Sequence, residues 1–346
     1  MLSQRLKIGA RWIGEGEPAF IIAEIGSNHD GSLEQAKKLI DACAKIKVYA
    51  VKFQSFSAEK LINQIKLNEK GNWISNPAFK VIKSLELPSE WHKELFDYAA
   101  KSGLTFLSSA FDLDKVDLLN SIGVPAFKIA SGDINYIQLL QHTAKLKKPI
   151  LLSTGAAYLG EVEEAIKNIE KEGNNQIALL HCVSNYPPSF KDANIQAMVT
   201  MKKAFKAIVG YSDHSPGITV PLGAVTLGAK IIEKHITFDR NLKGPDHPYA
   251  LTVEEFSQMI KEIRNLENAL GNGVKEPVSG EIPERTGARR GIYSTVKIHK
   301  GEKISSDMLK IVRHAYGLEP SEANKIIGRK AKVDIEANLP ITWDKL

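Results

Sequence analysis

The chain has 346 residues, of which 43% are hydrophobic and 25% charged, as in an ordinary globular protein. Its net charge of +6 comes from basic residues scattered among acidic ones, which argues against a nucleic-acid-binding surface and suits an anionic small-molecule substrate. No apolar run approaches the ~20 residues of a membrane span, the segment MLSQRLKIGARWIGEGEP lacks a signal-peptide core, and Cys43 and Cys182 do not indicate a disulfide framework. We expect a cytoplasmic protein without membrane or nucleic-acid partners.

Eight short apolar runs, each about the length of a buried strand, recur along the chain and end in polar residues. In chain order they are FIIAEIG from Phe20, YAVKFQSF from Tyr49, TFLSSAFD from Thr105, AFKIASGD from Ala126, PILLSTG from Pro149, IALLHCVSNYP from Ile177, IVGYSDHS from Ile208 and AKIIEKHITF from Ala229. Most are separated by amphipathic stretches such as SLEQAKKLIDACAK, with apolar residues at helical spacing. This repetition predicts an α/β fold, a (β/α)8 TIM barrel, whose active site forms where the strands end.

One interval between strands is longer than the others. Residues 57–103 carry an extra segment before the predicted helix SEWHKELFDYAAKSG. We expect this segment to form a loop, because long loops after barrel strands commonly act as substrate lids or oligomer contacts.

The chain exceeds the roughly 250 residues of a single barrel, so a second domain is expected. The barrel pattern ends with the helix TVEEFSQMIKEIRNLENALG, in which Thr252 and Glu255 indicate a capping box. We predict a barrel over residues 1–270, a Gly-, Pro- and charge-rich linker over 271–290, and a small domain over 291–346. The small domain should contain the β-like runs GIYSTVKI and KAKVDI and the helix PSEANKIIG, and its small core predicts packing on the barrel or on a partner.

His214 and His235 end the seventh and eighth predicted strands. Adjacent parallel strands lie ~4.8 Å apart, so two imidazoles at matched heights can share one metal ion. Two protein ligands leave positions open for substrate or water, as catalytic sites require. Each histidine alone could merely form hydrogen bonds at a crowded strand end, but the pair favours a metal site.

Lys52 and Lys128 lie inside otherwise apolar strands, where an unpaired ammonium is costly to desolvate. They pair with Glu24 or bind a substrate that carries phosphate or carboxylate. Serine hydroxyls at strand ends support an anion site. These serines are Ser131, Ser153 and Ser212. A Schiff base on Lys128, as in carbonyl-condensing barrels, is a further alternative.

Two carboxylates also stand at the barrel mouth. Glu24 ends the first strand, and Asp246 lies in GPDHP just past the eighth. Each can be a metal ligand, a general base or a hydroxyl binder, or can simply pair with the lysines. The motif EIGSNHDGS places His29 in a tight turn, where a catalytic role and a turn-capping role are both open.

Many segments, in the same order, make the chain similar to the sialic acid synthase family, the bacterial N-acetylneuraminate synthases and their relatives. The segments are AEIGSNHDG, AVKFQSF, FKIASGD, PILLSTG, LLHCVSNYP, VGYSDHS, IIEKHIT, GPDHP, ARRGIYSTVKIHKGE and VRH. The resemblance implies a barrel followed by a small antifreeze-like (SAF) domain. It also implies condensation of phosphoenolpyruvate with an open-chain N-acetylmannosamine-type sugar, giving a nine-carbon 2-keto acid and phosphate.

The resemblance implies roles for individual residues. His214 and His235 would hold a divalent ion, typically Mn²⁺, with Mg²⁺ or Co²⁺ as alternatives. The residues that would hold phosphoenolpyruvate are Lys52, Lys128, Ser131, Ser153 and Ser212. Those around the acceptor sugar would be Glu24, Gln54, Tyr186 and Asp246. Arg313 would reach from the SAF domain into the partner subunit's barrel, in a domain-swapped homodimer.

Two positions depart from the family pattern. Asp133 stands where many bacterial members have Glu, although the SGD form also resembles animal-type members. Ser184 stands where some members have Asn, and Asn185 follows it. Both departures leave the acceptor sugar open. The predicted catalytic residues are Glu24, Lys52, Lys128 and Asp133, and Ser184 and Asn185 join the predicted substrate-binding residues.

Three other functions compete with a sialic acid synthase. The nearest is a related synthase that makes legionaminic or pseudaminic acid from a diacetamido-dideoxy sugar. A non-catalytic carbohydrate- or ice-binding protein would need a degraded barrel mouth, and the complete set of His, Lys and Glu positions argues against it. A Schiff-base aldolase using Lys128 would form a covalent adduct that borohydride traps.

Overall fold

The computed structural model describes residues 2–346, which form two compact units. The first runs to Gly271, and the second spans Asn272–Leu346. The first unit is a closed barrel of eight parallel strands, in which each strand pairs with the next and the eighth pairs with the first. The strands are β1 (Phe20–Gly26), β2 (Ala50–Ser55), β3 (Thr105–Ala110), β4 (Phe127–Ile129), β5 (Ile150–Ser153), β6 (Ile177–Cys182), β7 (Ile208–Asp213) and β8 (Ile231–Thr237). The predicted TIM barrel and all eight of its strands are confirmed.

A helix follows every barrel strand and packs on the outside. The helices are Leu33–Lys45, Trp91–Lys101, Leu113–Ile122, Ile137–Lys145, Leu159–Lys171, Gln196–Phe205, Thr219–Thr226 and Val253–Leu270. Their ends follow from local chemistry, as at the last helix, where Thr252 and Glu255 form the predicted capping box. The apolar faces of the helices cover the outward-facing strand residues, such as Phe106 and Ile232, in one continuous core.

A second apolar cluster fills the inside of the barrel at the start of the strands. It includes Phe20, Leu107 and Leu151 together with Leu6 and Ile8 from an N-terminal hairpin. The hairpin strands are Arg5–Ile8 and Arg11–Gly14. This hairpin was not predicted from the sequence. It contributes apolar side chains to the strand-start end and leaves the opposite end for polar chemistry.

The segment after β2 is folded, so the expected loop was wrong. It contains the helix Ala58–Leu61, a hairpin of Ile65–Leu67 and Trp73–Ser75, and the helix Pro77–Ser84. The helix Pro77–Ser84 begins after Asn76, whose side chain accepts a hydrogen bond from the Ala78 amide, and it has proline at the first helical position. Side-chain capping and strand pairing thus satisfy backbone groups that a loop would leave to water.

The second unit has its own small core and little regular structure. Arg290–Ser294 and Leu309–Arg313 form an antiparallel pair, and Ala323–Ile326 is a short helix. The core residues are Ile292, Ile298, Ile304, Ile326, Ala331, Ile335, Ile341 and Leu346. The run KAKVDI is not a strand, because only isolated bridges such as Ile298 to Ile335 connect it to the rest. Within residues 2–346 no helix is both long and apolar enough to cross a membrane.

Candidate active site

A cavity of about 460 Å³ opens at the end of the barrel where the strands finish. Its volume falls in the usual range for small-molecule sites. The predicted site residues that line it are Glu24, Lys52, Gln54, Lys128, Ser131, Ser153, Ser184, Tyr186, Ser212, His214, His235 and Asp246. Because alternate strand residues face inward, polar side chains from nearly every strand meet in this space.

Lys52 stands between two carboxylates inside the barrel. Its Nζ lies 2.8 Å from Glu24 Oε2 and 3.6 Å from Glu233 Oε1, and it donates a hydrogen bond of 3.0 Å to Ser109 Oγ. Burial by itself lowers the pKa of Lys52, but the two carboxylates outweigh this effect and hold the pKa above its ordinary value. Lys52 is therefore a cation at neutral pH.

Lys128 and a group of hydroxyls form the neighbouring part of the cavity. Lys128 Nζ donates to Ser153 Oγ at 2.7 Å and lies 3.8 Å from Glu233 Oε1. Burial lowers the pKa of Lys128, an effect that Glu233 opposes. The Gly155 amide donates to Ser131 Oγ at 2.9 Å. An ammonium group and serine hydroxyls at one place suit a phosphate or carboxylate.

Gly155 is required here by close approach. A Cβ atom at this position would lie 2.4 Å from Ser184 Oγ and 2.7 Å from Cys182 Sγ. A side chain at this position would therefore displace the groups that line the cavity. The segment PILLSTG thus ends in glycine because the hydroxyl-rich wall leaves no room for more.

Glu233 lines the cavity and was not among the residues predicted from the sequence. It is 4% exposed, accepts a hydrogen bond of 2.9 Å from Ser212 Oγ, and has one carboxylate oxygen without a hydrogen-bond partner. Burial raises the pKa of Glu233, but Lys128 and Lys52 outweigh burial and bring it below the ordinary value. Its position two residues before His235 was a usable signal, because strand residues i and i+2 share a face.

His214 and His235 lie next to each other at the rim, with ring centroids 5.4 Å apart. Burial and the neighbouring His235 lower the pKa of His214 to about 3, so its imidazole is neutral. His235 Nδ1 is buried without a hydrogen-bond partner. Neutral, unpaired imidazole nitrogens are the donors that a divalent ion uses. Residues 2–346 contain no set of three or more His, Cys, Asp and Glu side chains arranged for a metal, so a metal here would rely on ligands from substrate or water.

Asp246 lines the cavity beside His235. Its Oδ2 accepts hydrogen bonds from the Ser27 amide and hydroxyl at 3.1 and 2.8 Å, and its Oδ1 accepts one of 2.6 Å from the Tyr249 hydroxyl. Burial raises the pKa of Asp246, but His235 and these donors bring it below the ordinary value. Gly26, in the left-handed region at φ 54°, makes room for this carboxylate, since a Cβ would approach its Oδ2 to 2.8 Å.

The remaining residues of this rim differ in exposure. Gln54 Nε2 donates to Glu24 Oε1 at 2.8 Å. Tyr186 is 52% exposed, and its ring centroid lies 4.3 Å from that of His214. Asn185 is exposed and its Oδ1 accepts a hydrogen bond from the Tyr186 amide, so it does not line the cavity.

Asp133, Arg313 and His29 also lie outside the cavity lining. Asp133 is partly buried after β4, and burial, opposed by Lys128, raises its pKa to about 7. Arg313 is exposed at the end of a strand in the second unit. His29 Nδ1 accepts a hydrogen bond from the Gly31 amide, as expected for the turn-capping role. The lining residues not singled out from the sequence include Ser109, Phe111, Cys182, Glu233 and Tyr249.

Comparison with known proteins identifies the family. The NeuB family matches residues 39–275, and the SAF domain matches residues 289–346. N,N'-diacetyllegionaminic acid synthase of Legionella pneumophila is 40% identical over 356 aligned positions, covering 100% of this chain and 99% of that protein. An uncharacterized protein of Methanocaldococcus jannaschii is 43% identical over 99% of both chains.

A solved structure supports the same conclusion. N-acetylneuraminic acid synthetase from Leptospira borgpetersenii superposes with a TM-score of 0.74 at 37% identity, over 82% of this chain and 95% of that one. The family match covers more than half of the chain, and the first two relatives align along nearly all of it. The chain belongs to the NeuB family and carries a SAF domain at its C-terminal end.

Proposed function

We propose that the chain is a synthase that condenses phosphoenolpyruvate with an open-chain N-acetylmannosamine-type sugar, giving a nine-carbon 2-keto acid of the sialic acid type and phosphate. The observation that carries this proposal is the pair of buried lysines, Lys52 and Lys128, facing one cavity beside serine hydroxyls. Two lysines that face one cavity suit a substrate with two anionic groups. Membership of a family with sialic, legionaminic and pseudaminic acid synthases supports it.

The anionic substrate would lie across the two lysines. Lys128 Nζ and the hydroxyls of Ser131 and Ser153 line the cavity and would hold the phosphate, with the Gly155 amide orienting Ser131. Lys52 would hold the carboxylate, with Ser109 orienting its ammonium. Because these donors are already in place in a largely buried site, they need little reorganisation when charge develops.

The acceptor sugar would occupy the outer part of the cavity. Glu24 and Gln54 are joined by a hydrogen bond, so they present one oriented acceptor and donor set to sugar hydroxyls. Asp246, fixed by Ser27 and Tyr249, would hold a further hydroxyl. Placing the aldehyde carbon against C3 of phosphoenolpyruvate converts the reaction into an intramolecular step.

His214 and His235 would hold a divalent ion, which we propose to be Mn²⁺. When bound, such an ion supplies Lewis-acid polarisation of the sugar aldehyde. The protein's own contribution is to hold both imidazoles buried and side by side at the rim, with that of His214 kept neutral.

The proposed reaction forms a bond between C3 of phosphoenolpyruvate and the aldehyde carbon, whose oxygen takes up a proton. Water adds to C2, and the tetrahedral intermediate collapses by breaking the bond between C2 and the bridging oxygen. The water supplies two protons. One accounts for the proton that the former aldehyde oxygen takes up, and the other leaves with phosphate. The two lysines stabilise the anionic groups throughout.

A diacetamido-dideoxy sugar is a second candidate acceptor. The observation that favours it is the 40% identity to the Legionella pneumophila N,N'-diacetyllegionaminic acid synthase along the whole chain. Both candidates share the anion site and differ only at the acceptor, around Gln54, Tyr186 and Asp246. The choice therefore changes the sugar and leaves the bond chemistry unchanged.

The test is phosphate release from phosphoenolpyruvate with a panel of acceptors. The panel contains N-acetylmannosamine, its 6-phosphate and a diacetamido-dideoxy hexose, each with Mn²⁺ and with excess EDTA, and mass spectrometry identifies the keto acid. We expect sugar-dependent phosphate release that EDTA abolishes. His214→Ala and His235→Ala should lower turnover by orders of magnitude while circular dichroism shows a folded barrel. Full turnover in EDTA would overturn the metal assignment, and no release with any acceptor would overturn the function.

A further inference from the structure

Asp213 and Lys234, at the ends of β7 and β8, form a buried cluster separate from the cavity. Alternation along the strands places Ser212 and His214 inward, and likewise Glu233 and His235. Asp213 follows Ser212 and Lys234 follows Glu233, so both side chains point away from the cavity. Both are buried, with 1% of each residue exposed. They lie directly opposite each other in the strand register.

These two residues contact each other and the backbone of Ser215, the residue after His214. Lys234 Nζ forms an ion pair with Asp213 Oδ2 and also donates a hydrogen bond of 2.6 Å to the backbone oxygen of Ser215. Asp213 Oδ1 accepts a hydrogen bond of 2.9 Å from the Ser215 amide. Lys234, from the strand that carries His235, thus holds both neighbours of His214, Asp213 through its carboxylate and Ser215 through its backbone oxygen. We name Asp213, Lys234 and the Ser215 backbone the outer brace.

Fold stability alone gives a weak reason for this arrangement. Desolvating two charges costs about as much as their attraction returns, and apolar pairs of similar volume commonly serve equally well in a core. The outward-facing residues nearby, Tyr211, Ile232 and Ile236, belong to the apolar core, so the brace interrupts a surface that could be wholly apolar. What an ion pair adds is a fixed register between two strand ends.

We propose that Asp213 and Lys234 are positioning residues for the two histidines, holding His214 and His235 at the separation that a shared divalent ion requires. The inference rests on the metal site proposed above. Removing groups that orient the metal ligands without binding the metal commonly lowers metal affinity 10- to 100-fold.

The experiment measures Mn²⁺ binding by the full chain, stripped of metal, from the electron paramagnetic resonance signal of free Mn²⁺. The main variant is Asp213→Leu/Lys234→Met, which removes both charges together. We expect its dissociation constant to rise about 10- to 100-fold. If this variant does not fold, Asp213→Asn decides the question, since it keeps the size of the side chain and an acceptor for the Ser215 amide but removes the charge. For Asp213→Asn we expect a smaller rise, by several-fold.

Two controls separate positioning from stability. Ile169→Ala removes a fully buried side chain on the helix Leu159–Lys171 and should lower the melting temperature without changing Mn²⁺ affinity. Lys93→Met makes the same kind of substitution on an exposed lysine and should change neither quantity. Mn²⁺ affinity that is unchanged in folded brace variants, or equally reduced in Ile169→Ala, would overturn the brace alone. Absence of Mn²⁺ binding by the unmodified chain would overturn the metal assignment and the brace together.

Discussion

Glu24 on β1 and Lys52 on β2 face each other in register, and their side chains meet 2.8 Å apart inside the barrel. Burial raises the pKa of Glu24, and Lys52 is the largest influence that opposes burial. Each charge therefore holds the other in place, since both side chains are almost fully buried. This pair links the anion site to the acceptor site, because Glu24 also accepts the hydrogen bond of Gln54.

Removing Lys52 alone should destabilise the barrel strongly. Lys52→Met leaves Glu24 buried without its cation, and we expect the free energy of unfolding to fall by about 3–5 kcal/mol. The double variant Lys52→Met/Glu24→Gln should lose less, because no charge is left unpaired. Urea unfolding measures both. An exposed pair provides the control, since Lys93→Met should cost at most about 1 kcal/mol. Equal losses in the single and double variants would contradict the coupling.

The bond that breaks should be the one between C2 and oxygen of phosphoenolpyruvate. With substrate labelled by ¹⁸O at the bridging position, we expect the label in inorganic phosphate, because water adds to C2 before phosphate leaves. Mass spectrometry of both products makes the measurement. Retention of the label in the keto acid would require attack at phosphorus and would exclude the proposed order of bond changes.

Borohydride added during turnover should trap no adduct on Lys128. A trapped adduct would instead indicate a Schiff-base aldolase.

Asp133 should make stability depend on pH. Burial raises its pKa to about 7, against about 3.9 in an unfolded chain. The folded state therefore binds more protons than the unfolded state between about pH 4 and pH 7, and the contribution of this group to stability falls as pH rises through that window. Asp133→Asn has no such loss, so relative to the parent it should gain stability from about pH 5 to about pH 8. Urea unfolding at both pH values measures this difference, and an equal difference at both would contradict the shifted pKa.

We propose that catalysis depends on the second unit of a partner chain, in the domain-swapped homodimer that the family resemblance implies. Arg313 is exposed on its strand, so its guanidinium is free to donate to a carbonyl such as the sugar's acetamido group. Arg313→Ala should mainly raise the sugar KM. Mixing Arg313→Ala with Lys128→Ala should restore activity, because in a mixed dimer one site receives both defects and the other receives neither. Exchange of subunits without recovery would place Arg313 within its own chain's site or outside catalysis.

The fold followed from the sequence because its signal is local and repeated. Each barrel strand is a short apolar run between amphipathic helices. A parallel strand buried on both faces needs such a nearly continuous apolar run. The same holds for the helix caps, as with Thr252 and Glu255, whose chemistry lies within four positions. Strand alternation then directed attention to polar residues at strand ends, and most of the residues chosen in this way line one cavity.

The sequence by itself therefore determined the barrel, its order of strands and the edge where polar groups meet. Only the tertiary structure decided which of those groups touch. Glu233 became recognisable when Lys52, Lys128 and Ser212 were brought around it, and Lys234 proved to be part of the outer brace once β7 lay beside β8. The physical reason is that contacts between strands depend on register and distance, which residues far apart in sequence acquire only when the barrel closes.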